Sequence, residues 1–315
     1  MKLIRGIHNW PKTLKSVVVT IGNFDGLHLG HQRMLQQLSE IAQQKQRDSV
    51  VIIMEPQPQE YFAGDKALAR LTRLREKLLI INKLDFDWVL CLNFNKKLAS
   101  LSGEAFIQQI LVEQLAIDYI LIGDDFHFGQ NRSGDYALLE RLSKQYHYQV
   151  SPMPTVKLGQ TRISSTGVRT ALAAGDLDLA ETLLGRKYSM CGRVAHGDKR
   201  GRQWGIPTAN VYLHRAVSPI QGFYAVKVKG LGRQIINGVA NVGNRPTIDG
   251  RRSLLEVHLF DFDQDIYGQY IEVQFIHKLR DEQRFDSIDE LKTQILNDVH
   301  QAKLFFINQT TKQLE

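Results

Sequence analysis

The sequence predicts two domains of different class: an α/β domain with a parallel sheet over residues 1–184, and a small antiparallel barrel with a C-terminal helix over 185–315. Three observations carry this. Short β-branched strands alternate with helical periods as far as Gly185, the pattern of a parallel sheet with helices on both faces. Beyond Gly185 the helical periods stop, and short alternating strands separated by glycine-bearing turns replace them. At 315 residues the chain also exceeds what one ordinary core accommodates.

In the first domain, strands are expected at 17–21, 49–54, 88–92 and 118–122. Between them Met34, Leu35, Leu38, Ile41 and Ala42 fall on one helical face. Leu71, Leu74, Leu78 and Ile81 make a second such face, and Phe106, Ile107, Ile110, Leu111 and Leu115 a third. This is a Rossmann-like order, in which ligands sit beyond the carboxyl ends of the strands. In the second domain, strands are expected at 189–195, 223–229, 235–241, 254–260 and 270–276, giving a Greek-key barrel. Ser287 and Glu290 form a capping box for a last helix, whose apolar stripe is Leu291, Ile295, Val299, Ala302 and Phe306. With no repeat and no low-complexity linker, the boundary near 184–188 should be tight.

Composition narrows the chemistry. The hydrophobic fraction of 43% is that of a globular protein. Cys91 and Cys191 lie far apart and outside any CxxC, so they offer neither a disulfide scaffold nor a zinc site. Met1 to Lys15 has no apolar stretch of signal-peptide length, and the longest apolar runs are far short of a membrane span. The expected compartment is the cytosol, with no membrane partner. The net charge of +7 is dispersed in short knots such as Lys199-Arg200-Gly201-Arg202 and Arg251-Arg252. That distribution favours anionic small substrates over nucleic acid.

The segment Val17–His31 is the most informative. A buried-type strand stops at Gly22, and His28 and His31 flank Gly30 where the first helical period begins. Gly22, Gly26 and Gly30 let backbone approach a polyphosphate, free N–H groups at a helix start face the anion, and two imidazoles can donate to it. Three further segments lie in the same domain. Gly123-Asp124-Asp125-Phe126-His127-Phe128-Gly129 with Arg132 follows the fourth strand; it reads equally as a nucleotide- or flavin-holding loop and as a polar turn. Arg162-Ile163-Ser164-Ser165-Thr166-Gly167-Val168-Arg169 opens a helix, with hydroxyls that cap or bind phosphate and a guanidinium one turn on. Glu55-Pro56-Gln57-Pro58 reads as a rigid strand exit.

In the second domain, Gly192, Gly197, Gly201 and Gly205 precede Pro207-Thr208-Ala209-Asn210. The glycines could curl amides around phosphate, and Thr208 and Asn210 offer oxygens on one face of an extended chain, as a hard cation bound to ATP requires. As a bare pattern this is also an ordinary hairpin. Glu256 alternates with Leu255 and Val257, so it faces the opposite side of its strand.

GNFDGLHLGH, MEPQP, LSGEAFI, GDDFHFG and RISSTGVR resemble the adenylyltransferase half of the bacterial bifunctional riboflavin kinase/FAD synthetases. GRQWGIPTAN, NVGNRPT, LEVHLFDF and LRDE resemble the flavokinase half. The resemblance runs in order over nearly the whole chain. It implies a nucleotidylyltransferase domain that joins AMP from ATP to FMN, releasing pyrophosphate, and a kinase domain that makes FMN from riboflavin and ATP with Mg²⁺. By this similarity Gly22, Phe24, Asp25, His28, Gly30 and His31 bind ATP phosphates, with His28 and His31 stabilising the transition state. Ser164, Ser165, Thr166 and Arg169 hold the leaving group, while Asp124, Asp125, Phe126 and Arg132 line the nucleotide and flavin pockets. In the kinase half Gly192, Gly197 and Gly201 serve ATP, Thr208 and Asn210 the metal, Glu256 is the general base, and Arg280 lies near the flavin. His258 and His277 are expected to be structural.

Three positions depart from the family pattern. Gln57 stands where histidine is common, Gly167 where arginine is, and Trp204 where leucine is. Altered affinity rather than lost activity is expected of the first two. Other functions fit less well. A dehydrogenase would show GxGxxG in the first turn, and a tRNA-charging enzyme would need a KMSKS-like loop; neither occurs. A nucleotidylyltransferase for another substrate, with a regulatory second domain, is the nearer rival. Nothing in the sequence fixes the oligomeric state.

Overall fold

The computed structural model describes residues 1–159, 161–196, 205–213, 215, 217–247 and 250–311. They form two compact units, Met1–Leu68 with Thr72–Ser165, and Ala69–Leu71 with Thr166 onward.

The first unit is built on a six-stranded parallel sheet of β1 (Lys2–Arg5), β2 (Val17–Ile21), β3 (Ser49–Glu55), β4 (Trp88–Asn93), β5 (Ile117–Gly123) and β6 (Gln149–Met153). Their spatial order is β1-β4-β3-β2-β5-β6. From β2 the chain steps outward through β3 to β4, then returns to the other side of β2 with β5. The topological switch point therefore lies between β2 and β5, and their carboxyl ends open onto the crevice where such sheets bind ligands. The five residues of β2 are all buried, as a central strand covered on both faces requires. Val17, Val19 and Ile21 enter one apolar cluster and Val18 the other, which is the two-residue period at work.

Helix α1 (Leu29–Lys45) buries Leu35, Leu38 and Ala42, as its period predicts. Next come α2 (Pro58–Ala63), α3 (Leu74–Ile81), α4 (Lys96–Ala99), α5 (Gly103–Phe106, continuing as a π-helix over Ile107–Gln114) and α6 (Tyr136–Tyr146). The expected face at Phe106–Leu115 is buried throughout. Helix α3 starts only at Leu74, capped by the Arg73 N–H to Glu76 Oε2 bond at 2.7 Å. Leu71 is thus not on its face, and its carbonyl is held instead by Tyr188 in the second unit. β1 and β6 were not among the expected strands; both are edge strands, short and partly exposed. A hairpin of β7 (Lys157–Leu158) and β8 (Thr161–Arg162) completes the unit.

In the second unit α7 (Ser165–Ala174) and α8 (Leu177–Leu184) precede a closed barrel. Its strands are β9 (Ser189–Ala195), β10 (Ala209–Tyr212), β11 (Gly222–Lys229), β12 (Ile236–Thr247), β13 (Gly250–Leu259) and β14 (Tyr270–Arg280). They close in the order β10-β13-β12-β11-β14-β9, all antiparallel. The run β10-β13-β12-β11 is a Greek key. Helix α9 (Ile288–Thr311) buries Ala302 and Phe306 against Ala225, Val239, Phe260 and Ile276. β10 was not anticipated as a strand, because its four residues are too few to show a period.

Candidate active sites

In the first unit the chain leaves β2 in a turn that is tight before the helix begins. Gly22 N–H still bonds back to Ile52 O at 3.1 Å, so it extends the sheet. Phe24, Gly26 and Leu27 then take positive φ values of 45°, 81° and 45°. Phe24, Asp25, Leu27 and His28 are buried. Asp25 Oδ1 accepts from Thr72 N–H at 2.9 Å, and Gly26 N–H donates to Thr72 Oγ1 at 2.9 Å. The Asp25 carboxylate thus braces the turn from within, a duty the sequence did not reveal.

His28 is the N-cap of α1, its Nδ1 accepting from His31 N–H at 3.2 Å. With Nδ1 accepting, a neutral His28 carries its proton on Nε2. The two imidazoles stack at 3.6 Å and 17°, and Phe24 meets His31 edge-on at 5.2 Å. Burial, reinforced by His28 and then Lys77, holds the His31 pKa well below its usual value, so the ring is neutral at physiological pH. Its Nδ1 is buried with no hydrogen-bond partner among the described residues. A Cβ on Gly30 would come within 3.1 Å of the His28 ring, so any larger residue there would press on the stack.

Two distant segments converge on this turn. The Ser165 hydroxyl donates to Asp25 O at 2.9 Å, which seats the 162–165 segment beside it. Arg162 forms an ion pair with Asp125, tying the same segment to the loop after β5. There Asp124 accepts from the Thr155 hydroxyl at 2.9 Å, Phe126 stacks on Phe128 at 5.5 Å, and Arg132 is exposed with a positive φ of 59°. Ser164 is half-buried next to Ser165. Thr166 and Arg169 fall in the second unit, where Arg169 Nε donates to Ala69 O at 2.7 Å. Gln57, the N-cap of α2 just after β3, is buried, with an Nε2 that has no partner among the described residues. The sequence reading missed one feature outright. Phe62 is 70% exposed and forms an edge-to-face triangle with Tyr61 and Phe94 at 5.2–5.7 Å, beyond the carboxyl ends of β3 and β4.

In the barrel, strand register assembles the second cluster. Asn210 on β10 lies directly opposite Glu256 on β13, and Glu256 lies directly opposite Asn241 on β12. Residues so paired share a face, giving a row Asn210–Glu256–Asn241 across three strands while Val211, Leu255 and Val257 fill the core. Glu282 closes the row from beyond β14: a Cβ on Gly243 would sit 2.5 Å from its Oε1 and 3.5 Å from Asn241 Nδ2. Burial pushes the Glu282 carboxyl up, against the opposing influence of Arg280. Asn241 and Glu282 carried no assigned role in the sequence reading, since only the register brings them to Glu256.

Thr208 is exposed just before β10 and lines a cavity with Val194, Pro207, Phe262, Asp265 and Tyr267. His258 Nδ1 donates to Pro207 O at 2.8 Å and so anchors the segment, the structural role expected of it. His277 stacks on Phe305 of α9 at 4.7 Å. The donor set around Glu256 is almost entirely oxygen, and Asn241 Oδ1 is buried with no partner among the described residues. Such a set fits a hard divalent cation carried by phosphates.

Two of the expected residues also have structural partners. Gly192 lies within β9, and a Cβ there would come 2.4 Å from Val211 Cγ1, so strand packing asks for glycine at this position. Arg280 is bidentate to Asp298, with Nε at 2.8 Å and Nη2 at 2.6 Å, and stacks on Phe223 at 3.8 Å. It anchors α9, and its charge opposes the burial that pushes the Glu282 carboxyl up. Gly197 and Gly201 lie outside the described residues.

A switch-point turn carrying stacked imidazoles, and a barrel carrying an oxygen row, give the chain two separate polar clusters, one in each unit, the pattern of an enzyme with two sites. Residues 10–167 match the FAD synthetase family and residues 184–306 the riboflavin kinase family. The bifunctional riboflavin kinase/FMN adenylyltransferase of Haemophilus influenzae is 50% identical over 306 residues, 97% of this chain and 99% of that one. Its counterpart in Escherichia coli strain K12 is 50% identical over 97% of this chain and 98% of its own, and that of Pseudomonas fluorescens 47% over 96% and 97%. The chain belongs to the bifunctional riboflavin kinase/FMN adenylyltransferase family. A crystal structure described as a macrolide-efflux protein from Streptococcus pneumoniae shares the fold, with a TM-score of 0.78 and 29% identity over 96% of this chain and 99% of its own. Among the described residues here, no helix is long and apolar enough to cross a membrane.

Proposed function

We propose that the chain phosphorylates riboflavin to FMN in its barrel and adenylylates FMN to FAD at the β2 turn, with the kinase domain assigned to 185–315 and the adenylyltransferase domain to 1–184. The observation that carries this is the separation of the two clusters. The stacked histidines lie in the first unit and the Asn210–Glu256–Asn241 row in the second, so each reaction has its own site.

For adenylyl transfer, a phosphate oxygen of FMN attacks the α-phosphorus of ATP and pyrophosphate leaves. His28 donates from Nε2, and neutral His31 donates from one ring nitrogen, to phosphate oxygens whose charge grows in the transition state. Ser164 and Ser165, beside the turn, hold the departing pyrophosphate, the role also assigned to Thr166 and Arg169 by their motif. Gly22, Phe24, Asp25 and Gly30 shape the turn. Asp124, Asp125, Phe126 and Arg132 belong to the flavin and nucleotide side, to which the Tyr61–Phe62–Phe94 surface adds a stacking platform.

For phosphoryl transfer, Glu256 takes the proton of the riboflavin 5′-hydroxyl as that oxygen attacks the γ-phosphorus and ADP leaves. Thr208 and Asn210, with Asn241 beside them, are the residues to hold Mg²⁺. When bound, the cation neutralises charge on the transferring phosphate. The expected compartment is the cytosol, and the partners are small molecules: riboflavin, FMN and ATP.

The test is incubation of the purified chain with riboflavin, ATP and Mg²⁺, with products separated by chromatography. FMN followed by FAD is the expected result. FAD from supplied FMN without any FMN from riboflavin would leave the barrel without the assigned activity.

A further inference from the structure

Beneath the β2 turn lies a cation with no place in the mechanism above. Lys77 of α3 is fully buried, and its ammonium donates to the carbonyl of Asn23. In a trans peptide the carbonyl and the following N–H point in opposite directions. Drawing the Asn23 oxygen toward Lys77 therefore turns the Phe24 N–H to the opposite side of the peptide. Thr72, two residues before α3, grips the turn at Asp25 and Gly26. Three of the four residues Phe24–Leu27 have positive φ, two of them not glycine, a backbone that persists only when its surroundings hold it.

We propose that Lys77 is a positioning residue for adenylyl transfer, fixing the Asn23–Phe24 peptide and lending a fixed positive charge to the anion held at the turn. This rests on reading the turn as the ATP phosphate site. A preorganised cation in a water-poor site stabilises a transition state that gathers negative charge more than it stabilises the ground state. Its field already reaches the site, because Lys77 is among the causes that keep His31 neutral, after burial and His28.

The experiment compares Lys77→Met, Lys77→Gln and Lys77→Arg in the full chain. FAD formation from supplied FMN and riboflavin phosphorylation are both measured. In Lys77→Met, kcat for FAD formation should fall about 10- to 100-fold while KM for FMN stays within about twofold, a split that general loosening of the pocket would not give. Riboflavin phosphorylation should be unchanged, which reports an intact barrel. Lys77→Arg, which keeps the charge, should recover part of the loss. Unchanged kcat in Lys77→Met overturns the inference. If Lys77→Met fails to fold, Lys77→Gln decides, since its amide can still donate to Asn23 without charge. Lower kcat in Gln than in Arg supports the inference, and a Gln variant equal to wild type overturns it. Absence of FAD formation in the wild-type chain would instead overturn the reading of the turn itself.

Discussion

The two sites are assembled in opposite ways. At the β2 turn, the stacked imidazoles and the backbone that presents them lie within ten consecutive residues, Gly22 to His31, and a strand, a turn and a helix start place them. In the barrel, Asn210, Asn241, Glu256 and Glu282 are scattered over the second half of the chain and meet only because strands β10, β13 and β12 pair in one register. A local site is specified by backbone conformation, so its weak points are the positive-φ residues and whatever holds them. A site built by register is specified by the barrel as a whole: a one-residue slip of β13 would send Glu256 into the core and Leu255 to the surface.

The largest effects should be those that separate the two chemistries. Glu256→Gln removes the proton acceptor and should lower FMN formation by about 10²–10⁴ while supplied FMN is still adenylylated. His31→Ala should do the reverse, lowering FAD formation by about 10²–10³ and leaving riboflavin phosphorylation intact. Chromatography of both products checks each variant; a parallel fall of the two rates in either one breaks the comparison. Asp298→Ala sharpens it. Removing one partner of the buried Arg280–Asp298 pair, whose side chains are 12% and 4% exposed, should cost the barrel about 3 kcal/mol. Denaturant titration followed by kinase activity should show an earlier loss, with FAD formation from supplied FMN persisting to the wild-type concentration.

The same contrast decides what the sequence could reveal. The interior strands β2, β3, β4 and β5 were legible to within a residue at each end because both faces are buried and their apolar runs are continuous. β1 and β6 were not, since an edge strand with one covered face carries a weaker pattern. The pairing of His28 with His31 and the neighbourhood of Glu256 to Asn210 could be anticipated, the first from spacing, the second only from family resemblance. Three things could not be read. The bond of Arg280 to Asp298 is one, a partner eighteen residues away on a helix whose docking no local pattern encodes. Gly192 read as a phosphate glycine, and the approach of Val211 across a strand pair, which also asks for glycine there, had no signal in the sequence. Lys77 sits in a helical period like any solvated lysine; its burial under Asn23 is a tertiary fact.

The smallest effect concerns pH, and it distinguishes the two regions through their histidines. His31 is lowered well below its ordinary value by burial, then by His28 and Lys77, with no acceptor or carboxylate among the causes to oppose them. His258 in the barrel is lowered by burial too, but its bond to Pro207 O pulls the other way. A histidine whose folded pKa lies below its unfolded value of about 6.5 leaves the unfolded chain binding more protons between the two values. Its contribution to stability is therefore complete above about pH 6.5 and drains as the pH falls toward the folded pKa, at no more than about 1.4 kcal/mol per pH unit per proton. Thermal unfolding followed by loss of FAD formation should thus shift to lower temperature from pH 6.5 downward. His31→Gln cannot titrate and should flatten that dependence, although it also slows the reaction used as the probe. An equal slope in the variant would mean that His31 is charged in the folded chain, and the neutral donor at the turn would have to be abandoned.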